Sequence, residues 1–128
     1  MKKAAVAIAL TLAASAGVAY AQDPVAGEEV FKKCRVCHQV GETAKNGVGP
    51  KLNGLIGRQA GTVEGFNYSP ANKNSGITWT EENFKKYIAD PKGFMPGNKM
   101  AFAGLKEEKD QADVLAYLKQ FDADGKKK

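Results

Sequence analysis

The sequence is poor in the side chains that usually bind metals. Its 128 residues include one histidine and two cysteines, and all three lie in the five residues from Cys34 to His38. A structural zinc site usually takes four ligands from Cys and His, so a zinc site here would need a carboxylate as its fourth ligand. A redox Cys-x-x-Cys pair is expected near a βαβ pattern, and the flanking sequence shows no such pattern. A disulfide between Cys34 and Cys37 is the third alternative.

The spacing of these three residues favours a different chemistry. Two thiols three residues apart, followed directly by an imidazole, form the Cys-x-x-Cys-His pattern of covalent haem attachment. Cys34 and Cys37 would add to the two haem vinyl groups as thioethers. This tether would set His38 against one face of the porphyrin, where a ring nitrogen can bind the iron. The motif therefore predicts one covalently attached haem c per chain.

The sequence also lacks a second histidine for the opposite axial position of the iron. A lysine would bind only after losing its proton, whereas methionine is neutral, soft and a known haem ligand. Only Met95 and Met100 lie beyond residue 21. Met100 is favoured because it follows the Pro96-Gly97 turn, but Met95 stays open because methionine is also a common core residue.

Residues 1–21 have the pattern of a secretory signal peptide. Lys2 and Lys3 precede an alanine-rich apolar run from Ala4 to Val18, and Ala19-Tyr20-Ala21 fits the A-x-A cleavage pattern. The run is short for a membrane span, so cleavage after Ala21 is favoured over a membrane anchor. We therefore expect a periplasmic protein of residues 22–128, whose formal charge falls from +5 to +3 because two lysines are removed.

Residues 22–128 contain no repeat and no linker, which predicts a single domain. The spacing of apolar residues predicts a first helix at about 25–34 and a last helix at about 107–121. Between them, a helix of about nine residues is expected after a cap at Thr78 or Thr80. The Asp90-Pro91 pair would end this helix, because the residue before a proline avoids the helical region. The fold class is therefore all-α.

The first helix and the loops carry further signals. Asp23-Pro24 would cap the first helix, and Gly27 within it indicates either a close backbone approach or a frayed start. The segment 41–76 contains eight glycines and keeps no regular period, which predicts long compact loops packed on a cofactor. The tail from Gly125 to Lys128 is expected to be frayed. Seven apolar residues are candidates to line a haem pocket or to form ordinary core: Leu52, Leu55, Ile56, Phe66, Tyr68, Ile77 and Trp79.

Taken together, the motifs resemble those of the class I cytochromes c, close to the group of mitochondrial cytochrome c and bacterial cytochrome c2. The resemblance covers nearly all of residues 22–128. It implies the small cytochrome c fold, with three to five helices and long Gly-rich loops wrapped around one covalently bound haem. The motifs that carry it are Cys34-x-x-Cys37-His38, Gly49-Pro50-x-Leu52-x-Gly54-Leu55, Gly57-Arg58, Gly65-Phe66-x-Tyr68, Ala71-Asn72, Gly76-Ile77-Thr78-Trp79, Pro96-Gly97-x-Lys99-Met100-x-Phe102 and Asp113-Val114-Leu115-Ala116-Tyr117-Leu118.

The resemblance also implies roles for individual residues. In the family, the methionine of Pro-Gly-x-Lys-Met is the distal ligand, which implies Met100 here. The Pro50 carbonyl would accept a hydrogen bond from His38, and Tyr87 would hydrogen-bond near the Met100 sulfur. The sequence departs from the mitochondrial protein in a first helix one residue shorter and in Gly93, which replaces a lysine. Two further groups are implied: Arg58, Tyr68, Asn72 and Trp79 at the buried propionates, and Gly27, Phe31, Val114 and Tyr117 at the crossing of the first and last helices.

Iron held by both His38 and Met100 has no free position for a substrate. This predicts a soluble periplasmic one-electron carrier, cycling between Fe(II) and Fe(III), rather than an enzyme. Its donor would lie in the membrane or the periplasm, and its acceptor would be a terminal oxidase or a photosynthetic reaction centre. The alternative is a five-coordinate haem enzyme or gas sensor in which Met100 is unbound.

Lysines near the attachment motif and near the loop 90–104 that contains Met95 and Met100, here called the methionine loop, are candidates for partner docking. The resemblance implies that they ring an exposed haem edge and steer the protein to acidic surfaces of redox partners, such as a cytochrome bc1-type complex, an oxidase, a reaction centre or a dehydrogenase. Plain solubility is the alternative role. With no basic cluster except the tail, nucleic-acid binding is not expected, nor is stable membrane insertion, and the chain is expected to be a monomer. These lysines are Lys33, Lys45, Lys92, Lys99 and Lys106.

Overall fold

The structure is a computed structural model that describes residues 22–128, so the signal peptide predicted at 1–21 lies outside the described residues. Five helices follow one another along this part of the chain, which confirms the all-α fold class. None of the helices in the 22–128 range has the length and apolarity needed to cross a membrane. The helices are α1 (Pro24–Phe31), α2 (Pro70–Lys73), α3 (Glu81–Ala89), α4 (Pro91–Phe94) and α5 (Glu108–Leu118).

Helix α1 begins where the sequence predicts but ends earlier. The Asp23 carboxylate accepts hydrogen bonds from the backbone N–H groups of Val25 and Ala26, at 2.9 and 3.3 Å, and Pro24 is the first helical residue. The helix ends at Phe31, because the next N–H groups bond three residues back: that of Cys34 donates to Phe31 O at 2.8 Å. This tighter winding leads directly into the cysteine motif.

Gly27 lies where α1 crosses α5. A Cβ at this position would lie 1.9 Å from the backbone oxygen of Asp113, so only glycine allows the two helices to pack this closely. Of the two explanations that the sequence left open for Gly27, the structure supports a close backbone approach and not a frayed start. The crossing also brings the rings of Phe31 and Tyr117 to 5.3 Å, and Val114 is 1 % exposed between the helices. Part of the core is thus fixed by elements from opposite ends of the described chain.

Helix α3 follows the prediction closely, whereas two short helices were not predicted. The Thr80 hydroxyl caps α3 by accepting a hydrogen bond from the Asn83 N–H at 3.1 Å, so Thr80 rather than Thr78 is the cap. Helices α2 and α4 each begin at a proline preceded by a capping side chain, Ser69 or Asp90. The Asp90-Pro91 pair therefore ends α3, as predicted, and also starts α4, because the same capping pattern permits both.

The tail is tied to the domain, so the expectation that it is frayed is wrong. The Lys128 N–H donates to Gln120 O at 2.8 Å, and the Asp122 N–H donates to Lys126 O at 3.0 Å. A Cβ on Gly125 would lie 2.1 Å from the Gly41 oxygen, which shows how closely the tail packs on the first loop. The last helix also ends at Leu118, three residues before the predicted limit. The lysine side chains of the tail are nevertheless exposed.

Candidate functional site

A cavity of about 390 Å³ lies between the cysteine motif and the methionine loop. Its volume falls in the range of cofactor and small-molecule sites, roughly 300–1,000 Å³. Its lining is mainly apolar, with a few convergent polar groups. The lining includes all ten of the cofactor-binding residues predicted from the sequence: Cys34, Cys37, His38, Pro50, Arg58, Tyr68, Asn72, Trp79, Tyr87 and Met100.

His38 is held by its backbone surroundings. Its Nδ1 lies 2.7 Å from the Pro50 carbonyl oxygen. A carbonyl only accepts, so Nδ1 carries the proton and Nε2 keeps its lone pair. The pKa of His38 is lowered, chiefly because burial disfavours the imidazolium; the Pro50 bond opposes this effect and the Arg58 charge adds to it. A neutral imidazole with a free Nε2 is the form that binds iron.

Gly49 leaves no room for His38 to move. A Cβ on Gly49 would lie 2.4 Å from Cε1 of the imidazole and 2.8 Å from Nε2. In the sequence, Gly49 is part of a family motif, but no role could be predicted for it. The structure shows that the absence of a side chain at this position lets the Pro50 segment pass directly beside the ring.

Both cysteines are free and reach the cavity from the turn that follows α1. The Cys37 N–H donates to Cys34 O at 3.0 Å and the His38 N–H donates to the same oxygen at 2.8 Å. One turn of chain thus presents two sulfurs and one imidazole to the same space. Burial raises the pKa of the Cys34 thiol to about 11, so this group stays a neutral thiol at physiological pH.

The two methionines left open by the sequence occupy different environments. Met95 is 3 % exposed and belongs to the hydrophobic core, whereas Met100 lines the cavity. The Tyr87 hydroxyl donates to the Met100 sulfur at 3.7 Å. Burial raises the pKa of Tyr87 to about 12, so the phenol remains protonated and able to donate. His38 and Met100 thus face one cavity from opposite parts of the chain.

The aromatic residues fix the position of Tyr87. Its ring centroid lies 4.9 Å from that of Trp79 and 6.1 Å from that of Phe94. Trp79 and Tyr87 are both buried. Because its neighbours limit rotation of the ring, the hydroxyl of Tyr87 is held toward the Met100 sulfur.

Polar groups at one part of the cavity lack protein partners. Among the described residues, Arg58 Nε and Asn72 Oδ1 are buried and have no hydrogen-bond partner. No salt bridge of residues 22–128 involves Arg58, although its Nη1 donates to the Asn53 carbonyl at 3.1 Å. Tyr68 accepts a hydrogen bond from the Val63 N–H at 3.0 Å, which leaves its own proton to donate. Buried polar groups normally find partners. The Arg58 Nε–H and the Tyr68 O–H are donors, so they fit a ligand that carries an anionic group, such as a haem propionate, whereas the Asn72 oxygen is an acceptor and needs a donor.

The predicted docking lysines differ in how they are held. All five are exposed, and Lys33 and Lys99 line the mouth of the cavity. The Lys99 ammonium donates to the Asn67 carbonyl and lies 5.3 Å from the centroid of the Phe66 ring. Lys106 donates to the Ala89 carbonyl at 2.6 Å. Lys99 therefore also connects two loops, and Lys106 connects its loop to the end of α3, while both keep their positive charge.

Two of the seven apolar pocket candidates do not line the cavity. Ile56 and Ile77 pack against the hydrophobic core instead, whereas Leu52, Leu55 and Phe66 line the cavity as predicted. Spacing could not separate these roles, because the loops have no period from which to read a buried face. Asn98 also lines the cavity and was assigned no role from the sequence.

Comparisons with known proteins identify the family of the chain. A family model described as cytochrome c matches residues 24–122. The chain is 64% identical over 117 residues to cytochrome c2 of Blastochloris viridis, covering 91% of this chain and 92% of that protein. It is 58% identical over 126 residues to cytochrome c-554 of Methylosinus trichosporium, covering 93% and 96%. The solved structure of cytochrome c2 from Rhodospirillum centenum matches with a TM-score of 0.75 and 47% identity, over 78% of this chain and 98% of that chain.

An all-helical fold over residues 22–128, with Cys-x-x-Cys-His at a mainly apolar cavity, is typical of a c-type haem protein. The chain belongs to the cytochrome c family, and its relatives include several cytochromes c2. Proteins of this type are electron carriers and not enzymes. Family membership together with the two cysteines implies a covalently bound haem c.

Proposed function

We propose that this protein is a periplasmic one-electron carrier with one haem c per chain. Cys34 and Cys37 would hold the haem through thioethers, and His38 and Met100 would be its axial ligands. The observation that carries the proposal is the convergence of these four side chains on one cavity. When bound, the haem supplies an iron that alternates between Fe(II) and Fe(III).

In this function the protein would hold the two ligands in place and exclude water from the cavity. The Pro50 carbonyl orients His38 and raises its basicity. The thioether sulfur of Met100 favours ferrous iron, and the apolar lining disfavours the extra charge of the ferric form; both effects raise the reduction potential. If His38 and Met100 both bind the iron, no position would be left for a substrate, which favours electron transfer over catalysis.

The buried polar cluster would hold the propionates. Arg58 Nε is a donor left without a partner, and Tyr68 has a proton to donate. Asn72 would bind a propionate through its amide nitrogen, because its oxygen only accepts. The indole of Trp79 lines the same cavity. A guanidinium buried without a carboxylate partner is costly unless an anion approaches it, and a propionate of the attached haem would be that anion.

Partner recognition would use the exposed lysines around the mouth of the cavity. Lys33 and Lys99 stand at the mouth itself, and the other three proposed docking residues are Lys45, Lys92 and Lys106. Their charges would steer the carrier to acidic surfaces of its donor and acceptor, in weak and salt-sensitive encounters. Cleavage after Ala21 would release the domain into the periplasm, where it would act as a monomer.

Replacement of Met100 tests the proposed ligand, and Met95 provides a matched control. We expect Met100→Ala to lower the reduction potential by a sizeable part of the roughly 0.8 V range that axial ligands control. Met95→Ala also removes a methionine from the same loop, but Met95 lies in the core, so this variant should lose stability and keep its potential. Potentiometric titration followed by absorbance measures both.

An unchanged potential in Met100→Ala would show that Met100 is not the ligand. Rapid carbon monoxide binding by the reduced wild-type protein at neutral pH would favour the five-coordinate alternative. A denaturing gel stained for covalent haem tests attachment, and it should show no stained band when Cys34 and Cys37 are both replaced by alanine.

A further inference from the structure

The side chain of Asn98 ties the methionine loop together with three hydrogen bonds. Its Nδ2 donates to the carbonyl oxygens of Pro91 and Met95, at 2.9 and 2.8 Å. Its Oδ1 accepts a hydrogen bond from the backbone N–H of Met100 at 2.9 Å. The amide therefore uses both of its N–H donors and its oxygen within one loop.

These bonds add to the backbone hydrogen bonds of the loop, in which Pro91 O accepts from the Met95 N–H at 3.0 Å and Met95 O accepts from the Asn98 N–H at 3.2 Å. Helix α4 ends at Phe94, and Gly97, at φ +86°, turns the chain away from the helix. The carbonyls of Pro91 and Met95 point to the end of this short helix and receive the Asn98 amide there. An asparagine side chain that bonds a backbone N–H two residues on mimics a backbone turn. Through Asn98, the backbone N–H of Met100 is thereby connected to α4. Helix α4 itself packs against α3.

We propose that Asn98 is a positioning residue that keeps Met100 bound, by fixing the backbone of the ligand to the end of α4. The proposal rests on the proposed role of Met100 as axial ligand. Met100 is then held at two points, since Asn98 fixes its backbone N–H and Tyr87 donates to its sulfur. Without the Asn98 bonds, the loop has more conformations in which the sulfur is away from the cavity.

Imidazole binding to the oxidised, haem-loaded protein measures how often Met100 is displaced. Added imidazole reaches the distal position only when the methionine is away, so its apparent Kd varies inversely with the displaced fraction. We expect Asn98→Ala to lower the imidazole Kd about tenfold, as expected from the net loss of one or two hydrogen bonds. Asn98→Asp keeps an acceptor for the Met100 N–H but loses both donated bonds, and it should give an intermediate Kd.

Hydrogen exchange of the Met100 backbone amide gives a second measurement that does not depend on haem chemistry. This N–H donates to Asn98 Oδ1, so its exchange should become about tenfold faster in Asn98→Ala. In Asn98→Asp the acceptor remains, and the exchange rate should stay near that of the wild type.

Two control variants separate local positioning from general destabilisation. Asn74→Ala changes an exposed asparagine at the end of α2 and should leave the imidazole Kd unchanged. Gln111→Ala removes a buried amide that donates to Leu105 O at 2.7 Å. It should lower the free energy of unfolding in guanidinium while the imidazole Kd stays within twofold of wild type.

The result that overturns the proposal is an imidazole Kd within twofold of wild type in Asn98→Ala, while Met100→Ala strongly increases imidazole affinity. A tenfold effect in Gln111→Ala would also overturn it, because general destabilisation would then suffice. If Met100→Ala leaves the affinity unchanged, the proposed ligand itself is wrong. Should Asn98→Ala not accumulate with haem, Asn98→Asp decides alone: a lowered Kd supports the proposal and an unchanged Kd overturns it.

Discussion

The two sides of the cavity hold their proposed ligands in different ways. On the histidine side, residues 34–58, the ligand is fixed by backbone: a Pro50 carbonyl accepts from the ring and Gly49 leaves no space beside it. On the methionine side, residues 87–102, it is fixed by side chains, chiefly Tyr87 and Asn98. The histidine side is therefore sensitive to added volume, and the methionine side to lost hydrogen bonds.

The largest effect should come from added volume on the histidine side. Gly49→Ala places a Cβ 2.4 Å from the His38 ring, and we expect a loss of about 3 kcal/mol in the free energy of unfolding, the upper end of ordinary overpacking. Gly47→Ala is the matched control, because its Cβ would lie 3.7 Å from the nearest atom, Cys37 O. Guanidinium unfolding of the two haem-loaded variants measures the difference, and equal stability would refute the steric role of Gly49.

The next effect concerns charge on the histidine side. Arg58→Leu removes a buried cation from the proposed propionate site, which we expect to cost about 2 kcal/mol, the scale of a hydrogen bond to a charged group. It should also lower the reduction potential by tens of millivolts, given 59 mV per factor of ten for one electron, because a nearby cation opposes the ferric charge. Arg58→Lys keeps the charge and should shift the potential less. A potential that is equally low in both variants would exclude charge as the cause.

A smaller effect is expected from a hydrogen bond lost on the methionine side. Tyr87→Phe removes the O–H that donates to the Met100 sulfur, at a cost of about 1 kcal/mol. The imidazole Kd should fall about fivefold for that cost, while the core stays filled because only one oxygen is lost. If Kd does not change, the 3.7 Å contact contributes nothing to ligand retention.

Tyr87 also predicts a pH dependence of stability. Burial raises its pKa in the folded protein to about 12, from an ordinary value of 10. The folded state therefore binds this proton more tightly than the unfolded state, so stability falls as pH rises from about 10 to 12. This contribution is fully present below pH 10. Tyr87→Phe should remove it, which unfolding experiments at pH 8 and pH 11 would detect as a smaller decrease in the variant.

Replacement of the docking lysines should change stability least, and its effect should appear in the rate of electron exchange. Lys33→Glu and Lys99→Glu should both slow electron exchange with an acidic partner at low salt, and added salt should reduce the difference from wild type. Lys128→Glu changes the net charge equally but does not line the cavity. Stopped-flow kinetics measure the rates, and equal slowing in all three variants would show that only net charge matters.

Lys33 and Lys99 should differ in their effect on how firmly Met100 is held. The Lys99 ammonium holds the methionine loop to the Asn67 carbonyl, whereas none of the described hydrogen bonds or salt bridges involves the Lys33 side chain. Lys99→Glu should therefore also lower the imidazole Kd, by about threefold, as expected for an exposed contact worth a few tenths to 1 kcal/mol. Lys33→Glu should leave it unchanged.

The sequence allowed more of the histidine side to be predicted than of the methionine side. Cys34, Cys37 and His38 are adjacent in the chain, so their spacing alone indicates the chemistry. The choice between Met95 and Met100 needed the family resemblance. Both are methionines of the same loop, and no helical or strand periodicity shows which of them faces the cavity. The role of Asn98 depends on where α4 ends, and α4 was itself missed because Asp90-Pro91 was interpreted only as a stop signal.

Tertiary packing explains why other features could or could not be predicted from the sequence. Gly27 was correctly linked to a close approach, because a glycine inside a helix is costly and calls for a reason. Gly49 lies in a loop, where glycine is common, so apart from its place in a family motif nothing in the sequence indicates that it packs against His38 and that Gly47 does not. The tail of lysines looked like solvated chain by composition, yet its backbone hydrogen bonds to Gln120 and Asp122 depend on contacts that composition does not encode.

The crossing of α1 and α5 has a consequence for how the protein is made. Gly27 meets Asp113, and the ring of Phe31 meets that of Tyr117, across more than eighty residues of sequence. This part of the core cannot form until the ribosome has synthesised nearly the whole chain. If the chain is exported as proposed, it would leave the cytoplasm before this part of the core closes, with both thiols still accessible for haem attachment.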